Sequence, residues 1–63
     1  MTVYQWDYEI VFPAPQGAEV VRAGAVITRV PERRRAVRSV YRKVHIRDFF
    51  RLRMAARPRE VEV

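Results

Sequence analysis

Residues 31–58 read PERRRAVRSVYRKVHIRDFFRLRMAARP, and the fold turns on whether they form one helix or a helix and then a strand. Pro31-Glu32 suits a helix opening. Proline lacks an N–H that the first helical position would leave unbonded, and an early carboxylate complements the positive end of the helix dipole. Ala36, Val37, Val40, Tyr41 and Val44 recur at helical spacing and cover roughly 140° of one side at 100° per residue. Arg35, Arg38, Arg42 and His45 fall on the opposite side. Beyond His45 the phase breaks, because Arg47, Asp48 and Arg51 land on the face that had been apolar. Read with a period of two, Val44, Ile46, Phe50, Leu52 and Met54 share one side, and His45, Arg47, Arg51 and Arg53 share the other. Only Asp48 and Phe49 spoil that alternation. No Gly, Pro or Asn separates the two halves, and Leu52 to Ala56 favours helix. The expectation is therefore an Arg-rich amphipathic helix over about 31–56, kinked near Arg47, with a strand over 44–54 as the alternative.

Upstream, Thr2 to Phe12 alternates cleanly. Thr2, Tyr4, Trp6, Tyr8, Ile10 and Phe12 face one way; Val3, Gln5, Asp7, Glu9 and Val11 face the other. This is the pattern of a half-buried strand built from strand-forming residues. Pro13-Ala14-Pro15-Gln16-Gly17 ends it, since prolines cannot continue a ladder and glycine suits a turn. Ala18 to Val30 reads as the second strand of a hairpin, with Val20, Arg22, Val26, Thr28 and Val30 on one face and Val21, Ala23, Ala25 and Ile27 on the other. Gly24 within it signals a bulge, a bend or a split into two short strands. The small residues Ala23, Gly24 and Ala25 allow another element to approach closely. Downstream, residues 58–63 alternate again and form a short edge strand or a frayed tail. The chain is thus expected to be a small single α+β domain: an antiparallel hairpin over about 2–12 and 18–30, followed by the helix packed on its aromatic face.

Sixty-three residues make one domain and bury only about 60% of the unfolded surface. With no cysteine there is no disulfide, and one histidine cannot build a multi-histidine metal site. Reinforcement then comes from oligomerisation or from docking on something larger, so a homo-oligomer, in the first place a homodimer, or a piece of a larger assembly is expected. At 49% hydrophobic and 32% charged, the chain is suited to fold. No apolar run approaches the ~18 residues of a membrane span, and no leader of basic then apolar residues opens the chain. Cytoplasmic placement is the expectation. The excess of Arg over Lys and the absence of Asn fit a GC-rich genome or a hot habitat.

Charge is segregated. From Pro31 to Arg59, ten Arg and Lys43 stand against Glu32 and Asp48, a net of +9; the first thirty residues net −1, and the whole chain +6. Arginine pairs with phosphate through a planar fork and stays charged near neutral pH. Arg34, Arg35, Arg38, Arg42 and Lys43, extended by Arg47, Arg51 and Arg53, are the candidate contacts to a nucleic-acid backbone, DNA or RNA. The residue types that read adenine are nearly missing, with no Asn and two Gln, so little sequence specificity is expected. The alternative is a protein-interaction module that docks its basic face on an acidic partner. A small viral or plasmid-type regulator, an inhibitor or an assembly subunit would act in this way.

Tyr4, Trp6 and Tyr8 can form a platform on which single-stranded bases stack, but core packing is the favoured reading in so small a chain. Asp7 and Glu9 would also repel phosphate on their side of the strand. His45 with Asp48, and Ser39 nearby, lacks a nucleophile elbow, an oxyanion hole and a Gly-rich loop, so no catalytic residue, cofactor or enzyme activity is expected. A basic helix can also lie on anionic lipid, yet its apolar side offers mostly Val, Ala and Tyr and little energy of insertion.

Overall fold

The computed structural model describes residues 1–13, 19–44 and 51–63. Their elements are β1 (Thr2–Pro13), β2 (Glu19–Thr28), α1 (Arg33–Lys43), β3 (Arg51–Met54) and β4 (Arg59–Glu62). The architecture is α+β, an antiparallel sheet with one helix on it, and the hairpin precedes the helix as expected. β1 is the centre of the sheet. β2 pairs along one of its edges, while β4 and β3 share the other, so every strand is antiparallel to β1. β2 and β3 therefore run parallel to each other on either side of β1, and α1 makes the crossover between them.

The period of two in β1 is what the sheet uses. Trp6, Tyr8 and Ile10 are buried on the helix side, and the register sets Val26 opposite Trp6, and Leu52 and Met54 opposite Ile10 and Tyr8. Ala36 and Val40 of α1 close this core, with Phe12, Val44, Leu52 and Met54 packed around it. Ala36 is 0% exposed and Trp6 1% exposed, so the helix sits directly on the aromatic row. The indole Nε1 of Trp6 donates to Thr28 Oγ1 at 2.8 Å, and that hydroxyl donates to the Val30 carbonyl at 2.7 Å. Every buried polar atom of this relay has a partner, as a low-dielectric interior requires.

Three sequence expectations are corrected or resolved. The helix ends at Lys43 rather than continuing to 56, and Arg51–Met54 is the strand of the alternative reading; residues 45–50 lie outside the described residues. The reason is tertiary. Leu52 and Met54 complete the core beside β1, a gain that outweighs the modest helix preference of the same residues. Gly24 marks no bulge or split, because the β1–β2 ladder is continuous in one register from Tyr4↔Thr28 to Pro13↔Glu19. A Cβ at Gly24 would lie 2.5 Å from Tyr8 Oη and 2.6 Å from Cζ, so the glycine makes room for the phenol of its cross-strand partner. Residues 59–62 form a strand, not a tail. Between Gln5 and Tyr8, the partner edge runs from Arg59 to Met54, five steps against three. Two extra residues are therefore looped out opposite Trp6 and Asp7. Arg59 Nη2 donates to Asp7 Oδ2 at 3.0 Å and pins this irregular edge.

A candidate polyanion groove

The helix starts two residues later than Pro31 suggests. Glu32 is the N-cap residue without a side-chain cap, and its carbonyl accepts from the N–H groups of Arg35 and Ala36 at 3.1 and 3.3 Å. The first turn holds Arg33, Arg34 and Arg35 and no acid. Cations there oppose the positive end of the helix dipole, each by about 0.3–1 kcal/mol. At the other end Arg42 and Lys43 are favourably placed, and the Val44 N–H caps the Val40 carbonyl at 2.9 Å.

Because Ala36 and Val40 fix which side of α1 meets the sheet, the arginines fall on its outer side and on one flank. That flank overhangs the end of β2. Together they form a groove of about 360 Å³, lined by Ile27, Thr28, Arg29, Val30, Ser39 and the guanidinium-bearing Arg34, Arg35, Arg38 and Arg42. Arg35 Nε bonds Glu32 Oε2 at 3.1 Å. Arg29, Arg34, Arg38 and Arg42 have no acidic partner among the described residues. Lys43 lies at the end of the same flank, its ammonium donating to the Ala25 carbonyl at 3.2 Å.

The sequence reading is thus divided by the fold. Arg34, Arg35, Arg38 and Arg42 are brought together, with Lys43 beside them. Arg51 and Arg53 are not, since β3 pairs them with Val11 and Glu9 on the face away from α1. Arg47 lies outside the described residues, as do His45 and Asp48. Trp6 and Tyr8 are buried in the core and Tyr4 is half-buried, so the aromatic row does not offer an open stacking surface. Arg29 was missed. It sits outside the helical run, and only the tight β2–α1 connection folds it back against the helix.

The same face carries Ser39, and the described residues hold no cluster of His, Cys, Asp or Glu suited to a metal ion. No helix among them is long and apolar enough to cross a membrane. Comparisons of the chain with protein-family models, with curated proteins and with solved structures gave no match.

Proposed function

We propose that the chain binds nucleic acid through phosphate contacts in the groove between α1 and the end of β2, with little sequence specificity. The observation that carries this reading is the row of Arg29, Arg34, Arg38 and Arg42 along one concave track without acidic partners among the described residues. The arginines of the first helical turn add to it. They oppose the helix dipole, and local rules are most often broken where function requires it. Among the described residues no Gln lines the groove, and the chain has no Asn, so the residue types that read adenine are absent from the described track.

The test is the salt dependence of binding to a short duplex. Arg29, Arg34, Arg38 and Arg42, each neutralising one phosphate, give a slope of log K against log salt of about −3.6. Arg38→Gln with Arg42→Gln is expected to weaken binding to all sequences alike and to cut that slope by about 1.8. Absence of binding to DNA and RNA at about 50 mM salt would exclude the proposal.

A further inference from the structure

β2 is a ten-residue edge strand. β1 occupies one side of it in continuous register, and among the described residues no strand occupies the other. Sheet edges are commonly blunted by proline, by bulges or by being short. Residues 19–28 contain no proline, and their ladder to β1 has no bulge. The Ala25 carbonyl accepts from Lys43 Nζ, so it faces away from β1. In an antiparallel ladder the outward groups alternate, which assigns the N–H and C=O of Val21, Ala23, Ala25 and Ile27 to the open edge.

The two sides of this edge differ in chemistry. On the helix side stand Arg22, placed by its register with Ile10, then Lys43 and Arg42 on the overhanging flank. On the side away from α1, Val21 and Ile27 are 50% and 60% exposed. A strand added here sends alternate side chains to the two sides. One row meets cations and the other meets apolar surface.

We propose that the free edge of β2 takes an extended segment of a partner protein, alternating acidic and apolar residues, as an added strand. The sheet already accepts that pattern at its other edge. β4 sets Glu60 and Glu62 opposite Tyr4 and Thr2 on the helix side, and Val61 opposite Val3 on the free side. Thr2 Oγ1 donates to Glu62 Oε1 there. A second copy is a poorer occupant, because β2 paired with itself crowds Arg22, Arg42 and Lys43 against the same cations of the other chain. The incoming carboxylates instead receive Lys43 as it leaves the Ala25 carbonyl. The inference rests on the open backbone edge and stands apart from the nucleic-acid reading.

The experiment titrates the full chain, labelled with nitrogen-15, with the synthetic peptide acetyl-Thr-Glu-Val-Glu-Val-Glu-Val-Thr-amide. The expected result is slower amide exchange, by about tenfold or more, at Val21, Ala23, Ala25 and Ile27. A peptide of the same charge, N-methylated at alternate backbone positions, is expected to bind at least about tenfold more weakly, because its ladder donors are gone. Ala23→Pro, which removes an outward N–H, is expected to lose the peptide while keeping its affinity for duplex DNA. Equal binding of the methylated peptide would reduce the effect to charge attraction and overturn the proposal. So would a dimeric mass by light scattering with those amides already protected in the free protein, or the same protection produced by duplex DNA and not by the peptide.

Discussion

Two residue contacts hold this core to one arrangement, and each makes a prediction. Gly24 and Tyr8 face each other across the ladder with the phenol where a Cβ would be. In an ordinary strand Gly→Ala gains roughly 0.5–1 kcal/mol from the backbone. Here the ring is 6% exposed and packed in the core, so it cannot swing aside freely. Gly24→Ala is expected to destabilise the fold by about 1–3 kcal/mol in urea unfolding. Combined with Tyr8→Leu, it is expected to cost less than the two single changes together, because the shorter side chain vacates the clash. Additive costs would mean that the ring does not occupy that space. The Trp6–Thr28–Val30 relay makes a second case. Thr28→Val keeps the shape and removes the hydroxyl, leaving the buried indole N–H without a partner. A loss of about 1–3 kcal/mol is expected, with a native mass and an indole emission that stays blue-shifted. An unchanged unfolding midpoint would show that the relay contributes nothing.

At the scale of the element, α1 is a helix whose stability and charge are in conflict. Its apolar side anchors it through Ala36 and Val40, while its first turn is basic against the dipole. Arg34→Glu corrects the dipole and is expected to raise stability by about 0.5–1 kcal/mol, read as a higher Tm. On the proposed binding mode the same change would remove one phosphate contact and add a repulsive charge to the groove, so affinity for DNA is expected to fall at least about tenfold. A variant that gained neither stability nor lost affinity would sink both the dipole argument and the groove assignment. The elements differ in how far the sequence revealed them. β1 was legible because its alternation is decided by its own residues, and Trp6, Tyr8 and Ile10 go where that alternation sends them. The end of α1 was not, because Leu52 and Met54 become strand residues through contact with β1, which is more than forty positions away in sequence. Gly24 was half legible: it marks no bulge or split, but the close approach that Ala23, Gly24 and Ala25 allow is made by the Tyr8 phenol, on another strand. The groove was half legible. Helical spacing alone places Arg35, Arg38 and Arg42 together, but only the fold adds Arg29 and sends Arg51 and Arg53 to the far face.

The whole molecule is long for its size. β1 alone, at about 3.3 Å per residue, spans roughly 40 Å of the 46 Å long axis. The radius of gyration is 13.0 Å, against about 10.6 Å for a compact domain of this length. An elongated chain buries less apolar surface per residue, and a net charge of +6 adds self-repulsion, so a bound polyanion is expected to change the stability greatly. At a free concentration of 100 Kd, a short duplex that binds only the folded chain adds about 2.7 kcal/mol. In a domain of this size that corresponds to a Tm rise of roughly 10–20 °C. Salt then acts with opposite signs in the two states. In the free protein it screens the repulsion among Arg33, Arg34 and their neighbours, so Tm rises slightly from low to moderate salt. In the complex it competes for the phosphates, so Tm falls towards the value of the free protein. Thermal unfolding measured with and without duplex, across a salt series, should give two curves that converge from opposite sides. For Arg38→Gln with Arg42→Gln the upper curve should start lower and reach convergence at lower salt. Parallel curves would mean that the stabilisation does not come from phosphate contacts, and the groove would then lose its role.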